Sequence, residues 1–255
     1  MMRRFLATLL LVPALTGCMK VREELLVMPD GSGRISLTFS VATKGEAGKF
    51  TEAELMAGDP DEIQDKVRGL VAMTRPTLTE KEGVVQIRMT GYFDDINALK
   101  FMDDGEGAKA KPKQDFVFHR DGEGYALELR GNLLADDSPD RGGDDPELAK
   151  AREDMIKVMF AGFEFRQDVT LPGTVLGVEG FGFKEGRVAT YAVGEKDLQK
   201  TADLAKLNRL NRFKASCGKS EVTDSEAADF RRELERAKAG WDELRKELKK
   251  KAEKK

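Results

Sequence analysis

Residues 19–42, MKVREELLVMPDGSGRISLTFSVA, read as two strands around a tight turn. Asp30-Gly31 and Gly33 supply the positive-φ positions that a hairpin requires. From Arg34 the pattern alternates, with Ile35, Leu37, Phe39 and Val41 on one face and Arg34, Ser36, Thr38 and Ser40 on the other. One face is therefore core and the other is wet, as in an antiparallel sheet covered on one side.

The same alphabet continues downstream. GVVQIRMTGYF (83–93) alternates again, placing Val85, Ile87 and Met89 together, and QDFVFHR-DGEG-YALELRG (114–131) is a second hairpin in which Tyr125, Leu127 and Leu129 share a face. The stretch FEFRQDVTLPGTVLGVEGFGFKEGRVATYAV (163–193) opens with alternating Phe163, Phe165 and Val169, turns at Pro172-Gly173 and predicts two more strands. Between the strands the period becomes helical. DPDEIQDKVRGLV (59–71) predicts a crossover helix with Ile63, Val67 and Leu70 on one face, and DDINALKFM (94–102) a short helix capped by Asp94 or Asp95. PELAKAREDMIKVMFAG (146–162) predicts a helix with Leu148, Met155, Ile156 and Met159 inward. Strand pairs separated by helices without regular alternation predict an α+β fold: a curved, mainly antiparallel, half-barrel-like sheet with helices packed on it.

The ending differs in kind. Thr223-x-x-Glu226 is a capping box, and behind it Ala227, Phe230, Leu234, Ala237, Trp241, Leu244 and Leu248 recur at steps of three and four. This amphipathic, charged C-terminal helix either folds back onto its own domain or offers Phe230, Leu234, Trp241, Leu244 and Leu248 as a seam to a partner or a second copy.

The start of the chain carries an address. Arg3 and Arg4 precede an apolar run from Phe5 to Val12 that is too short to span a bilayer, and small residues follow at Thr16 and Gly17. Leu15-Thr16-Gly17-Cys18 has the form of a bacterial lipobox, so residues 1–17 read as a lipoprotein signal peptide and Cys18 as the lipidated first residue of the mature chain. Two or more acyl chains on Cys18 give stable anchoring where one is marginal, at ~0.8 kcal/mol per buried methylene. Met19, where inner-membrane retention commonly uses aspartate, directs a Gram-negative lipoprotein to the periplasmic side of the outer membrane. The first strand is expected to begin by Lys20 or Val21, which leaves less than about 15 Å of extended leash.

Several chemistries lack their parts. With one histidine, His119, at the end of the strand-like FVFH, neither a transition-metal site nor a Ser-His-Asp triad is predicted, and there is no Gly-x-Ser-x-Gly, His-Glu-x-x-His or Walker loop. Lipid on Cys18 leaves Cys217 alone, a small filler beside a helix end and not a redox partner. The acidic cluster at 136–147 lacks the alternate-residue spacing of a calcium loop. From a net charge of -3 neither nucleic-acid binding nor strong attraction to anionic lipid follows, and no nucleic-acid partner is expected. No enzyme, metal or cofactor is expected.

Pro172-Gly173-x-Val175 before Gly180, together with the strand and MPDGSG turn just after Cys18, resembles the LppM-type lipoprotein domain, with Tyr191 where tryptophan is usual. The resemblance spans about residues 18–195. It implies a curved α+β domain of the lipid-binding kind and an envelope lipid or glycolipid as ligand. The predicted organisation is thus a signal peptide (1–17), an LppM-like domain (18–195), a helix and connector (196–218) and the C-terminal helix (219–255). The expected function is a membrane-anchored, non-enzymatic lipoprotein that binds a lipid or other amphiphile against a wall of Ile35, Leu37, Phe39, Val85, Ile87, Met89, Phe163 and Phe165. The alternative is an assembly lipoprotein acting through the 223–248 seam.

Overall fold

The 19–42 hairpin is present in the computed structural model of the protein, which describes residues 19–42, 66–102, 112–131, 146–199, 203 and 213–252. Strands β1 (Met19–Val27) and β2 (Gly33–Ala42) pair antiparallel, with Leu25 opposite Ile35 and Val21 opposite Phe39. Their turn uses Gly31 at φ +84°, whose amide donates to the Met28 carbonyl at 2.9 Å. Gly33 is required for space and not for a turn. It lies within β2, where a Cβ would stand 2.1 Å from the Leu26 carbonyl oxygen and 2.5 Å from the Phe93 ring.

The strands form two open, curved sheets, neither closed on itself, and the hairpin lies in the middle of the first. The first runs β12 (Phe183–Glu185), β13 (Val188–Gly194), β10 (Glu164–Thr170), β1, β2, β6 (Val84–Phe93), β4 (Leu70–Met73), with β5 (Thr77–Lys81) on β6 beside β4. Its β1–β10 pair is parallel and its other pairs are antiparallel. The second runs β11 (Val175–Glu179), β14 (Phe213–Cys217), β9 (Gly124–Gly131), β8 (Pro112–Asp121), β7 (Lys100–Met102), β3 (Val67–Arg68).

The main core lies between the sheets. Leu25, Val27, Phe93, Val169 and Leu171 from the first meet Phe116, Leu127, Leu129, Phe213 and Ala215 from the second. On the opposite face of the first sheet, at the same end, the C-terminal helix packs Phe230, Leu234, Trp241 and Leu244 onto Met28, Ala72 and Tyr92. Tyr92 and Leu26 alternate with Phe93 and Leu25, so the strand ends are covered on both sides. Four of the five seam residues are therefore buried within the chain; the side chain of Leu248 lies outside the described residues.

This helix, Asp224–Ala252, starts with the predicted cap: Thr223 Oγ1 accepts from the Glu226 amide at 3.1 Å. Polar contacts fix its rotation. Tyr92 donates its hydroxyl to Glu233 at 2.8 Å, Arg34 pairs with the same carboxylate, Arg187 reaches Glu226 at 2.9 Å and Lys238 reaches Asp94 at 3.0 Å. Burial, reinforced by the Glu233 carboxylate it donates to, pushes the Tyr92 phenol up to about 12.

Several segments depart from the sequence reading. The helix expected over 59–71 does not continue past Lys66, because Val67–Arg68 and Leu70–Met73 are strands of different sheets. Gly69 at φ +88° makes the crossing, and a helix cannot continue through that backbone; Ile63 lies outside the described residues. In 94–102, Asp95 caps only the single 3-10 turn Ile96–Ala98, by accepting from the Asn97 amide at 2.9 Å, before the chain extends into β7. The helix at Pro146–Met159, labelled α1 (the C-terminal helix being α2), buries Ile156 but exposes Met155, while the side chains of Leu148 and Met159 lie outside the described residues. Within 196–218, Phe213–Cys217 form strand β14, which lies between β9 and β11, while residues 200–202 and 204–212 of the expected helix and connector lie outside the described residues. Cys217 consequently sits in a core strand, not beside a helix end, and burial pushes its thiol up against backbone hydrogen bonds from Gly173 and Tyr125.

Candidate functional site

Residues paired across strands share a face, so the registers of the first sheet set its side chains out in rows. On the face turned toward the second sheet, one row is Ala189, Val169, Leu25, Ile35 and Gly91. The next is Tyr191, Gln167, Glu23, Leu37 and Met89, and the third is Val193, Phe165, Val21, Phe39 and Ile87. The first row belongs to the packed core. Beyond it the rows are mixed: Gln167 and Val193 are buried, whereas Glu23, Leu37, Met89, Val21, Phe39, Ile87 and Phe165 are half-buried.

Seven of the eight predicted wall residues fall in these rows or, for Val85, one step farther along the same face. Phe163, just before β10, continues the alternation and meets Phe160 edge-on at 5.3 Å between ring centroids. Ile35 packs against the core and Val85 is buried, whereas Leu37, Phe39, Ile87, Met89, Phe163 and Phe165 remain half-buried. The wall is thus an apolar strip of half-buried side chains lying between Ile35, which packs on the core, and Val85, which is buried.

One polar pair interrupts it. Gln167 Nε2 donates to Glu23 Oε1 at 2.8 Å, bridging β1 and β10 in the second row. Burial pushes the Glu23 carboxyl above its usual range, with the Gln167 hydrogen bond opposing. Glu23 keeps accessible surface nonetheless, so it is reachable from an apolar environment. The sequence carries a signal for it that the wall list missed: in Val21, Glu23, Leu25, Val27 a carboxylate occupies a core-phase position.

The opposite face of the same strands is polar. Arg22, Glu24, Arg166, Asp168, Thr170, Phe183, Glu185, Val188 and Thr190 line a groove of about 320 Å³. Its centre is Asp168, with a side chain 8% exposed, which accepts from Arg22 Nη2 at 3.0 Å, Arg166 Nε at 2.9 Å and Thr190 Oγ1 at 2.7 Å. Burial pushes its carboxyl up, but the hydrogen bonds from Arg166 and Thr190, with the charges of Arg166 and Arg22, outweigh it and hold Asp168 below the usual range. Glu24 is bridged in turn by Arg22 at 3.2 Å and Arg88 at 3.3 Å. The network compensates its own charges and stiffens three neighbouring strands.

The other candidates stand apart. His119 is exposed on β8. Among the described residues no group of acidic, histidine or cysteine side chains has metal-binding geometry, and no helix is long and apolar enough to cross a membrane. Cys18 and residues 136–145 of the acidic cluster lie outside the described residues; β1 begins at the residue after Cys18.

No protein-family profile matches the chain, and no curated protein matches it. Among solved structures, the NMR structure of the Mycobacterium tuberculosis LppM folded domain is similar, at 12% identity and a TM-score of 0.36, covering 82% of this chain and 94% of that one.

Proposed function

We propose that this protein is a lipid-anchored envelope lipoprotein, without enzymatic activity, that binds a lipid or other amphiphile along the apolar face of its first sheet, on the periplasmic side of the outer membrane if the cell is Gram-negative. One observation carries the reading: Leu37, Phe39, Ile87, Met89 and Phe165 form a contiguous apolar surface that the core leaves half-covered, with one hydrogen-bonding pair, Glu23 and Gln167, set among them. A folded domain gains about 25 cal/mol for each Å² of apolar surface it removes from water, so such a shelf favours an acyl chain that completes its burial. The polar pair would orient the ligand's head.

The seam alternative is less well supported, because Phe230, Leu234, Trp241 and Leu244 already pack on the protein's own sheet. Native mass spectrometry of the protein extracted gently from its own membrane is expected to show a co-purifying lipid. A fluorescent fatty-acyl probe should be displaced by that lipid and bind at least tenfold more weakly to the Phe39→Asp variant. Absence of bound lipid together with no probe binding would refute the proposal.

A further inference from the structure

We propose that the exposed apolar stripe of α1, formed by Ala151, Met155 and Val158, rests in the headgroup region of the bilayer that holds the Cys18 lipid, so that the domain docks by the end at which β1 begins. The inference rests on the lipid-anchor reading and adds an orientation to it.

Met155 is 56% exposed and Val158 71%, unusual for large apolar side chains, and Ala151 is exposed as well. Their spacing of four and three residues puts them on one side of the helix, while Ile156, at 3% exposure, turns the other way into the protein. Along one margin of the stripe lie exposed Asp154, Lys150 and Lys157, with Lys157 and Asp154 paired at 3.6 Å. An apolar strip beside a charged margin is the pattern of a helix lying in a membrane interface.

Position selects the occupant. From α1 the chain turns through Phe160, whose amide donates to Ile156, and Phe163, whose amide donates to Phe160, directly into β10. The first residue of β10, Glu164, is the register partner of Lys20 and pairs with its ammonium at 2.9 Å. The stripe therefore ends six residues before Glu164, the partner of the second residue of β1, and no residue separates β1 from Cys18. A lipid on Cys18 holds this end within roughly 4 Å of its own Cα for each residue of separation, which leaves almost no freedom to face away. A third exposed apolar side chain, Val84 at 39%, lies at the same end, since it pairs with Ala42 next to the Val41–Met19 pair. In this orientation the half-buried side chains of Val21, Phe39 and Phe165 lie toward the bilayer, one step inside the row that holds buried Val85.

The test uses the full chain with its only tryptophan replaced, Trp241→Phe, and a new indole placed by Val158→Trp or, as control, by Leu176→Trp on the second sheet. Each is reconstituted by its natural lipid, or by coupling Cys18 to a maleimide-headed lipid, in phosphatidylethanolamine–phosphatidylglycerol vesicles with brominated acyl chains. The proposal expects quenching at least twofold for Val158→Trp and none for Leu176→Trp. Equal quenching at the two positions, or a position-158 indole buried by a doubled mass in the absence of vesicles, overturns it. An unmodified Cys18 by intact mass defeats the anchor reading alone, since the maleimide arm still reports the orientation. Hydrogen exchange on the unsubstituted lipidated chain repeats the contrast without touching the core: peptides covering 146–160 slow on vesicles relative to unlipidated Cys18→Ser while β11 does not change, and unchanged exchange in 146–160 overturns the proposal.

Discussion

Trp241→Ala tests the packing that dedicates one side of the first sheet to α2. The indole is 2% exposed and sits among Tyr92, Met28, Ala72, Leu234 and Leu244. A buried tryptophan removes on the order of 200 Å² from water, worth about 5 kcal/mol at ~25 cal/mol per Å². Partial burial in the denatured chain and the retained Cβ lower this, and large-to-small core truncations of aromatic residues cost about 3–5 kcal/mol. The indole Nε1 is buried with no hydrogen-bond partner, so no lost hydrogen bond adds to the cost. The expected loss is therefore about 3–4 kcal/mol, read by urea unfolding with far-UV circular dichroism. Glu235→Ala, on the wet side of the same helix at 72% side-chain exposure, is the control and should stay within about 0.5 kcal/mol of the parent. A loss below about 1 kcal/mol for Trp241→Ala would show that α2 is not packed on the sheet, and the 223–248 seam would again be open to a partner.

Gly69→Ala should destabilise by at least about 1–3 kcal/mol from its left-handed backbone alone, because φ is +88° and the new Cβ would stand 2.3 Å from the Ala98 carbonyl oxygen; thermal unfolding near the parental temperature would contradict this. Glu23→Gln should leave stability unchanged in acid and raise it as the pH climbs. The raised carboxyl contributes stability that is complete below its ordinary value of 4.5 and is lost as pH rises through the folded-state value, a loss the amide cannot suffer. Parallel stability curves from pH 4 to 8 would refute it.

Local pattern made the two hairpins and the cap of α2 legible, because alternation and Thr223-x-x-Glu226 are decided within a few residues. Non-local packing decided the rest. A three-residue apolar step from Val67 to Leu70 suits one face of a helix, and the left-handed conformation of Gly69, which sends the two residues into different sheets, overrides it. The fate of the α2 stripe depended on whether the sheet has a second apolar face. The uninterrupted run Leu25-Leu26-Val27-Met28 does signal this, since a strand covered on both sides loses its alternation. On the wall, strand phase grouped the right residues but does not tell how far the opposing sheet reaches, so Ile35 and Phe39 look equivalent in sequence although only Ile35 packs against the core.

The two coverings of the first sheet explain where a ligand surface can exist. Among the described residues the second sheet and α2 both pack at the end containing Leu25, Met28, Tyr92 and Phe93, while toward the other end Val85 and Val193 are buried and Leu37, Phe39, Ile87 and Phe165 are half-buried. On the polar face, the Arg22, Arg166 and Thr190 bonds to Asp168 tie β1, β10 and β13 together through side chains. Strand order there therefore does not rest on the half-buried residues of the apolar face alone. The end at which β1 begins follows Cys18 without a linker, and under the proposed anchoring an acyl chain would have only a short path from bilayer to the half-buried surface of Leu37, Phe39 and Phe165.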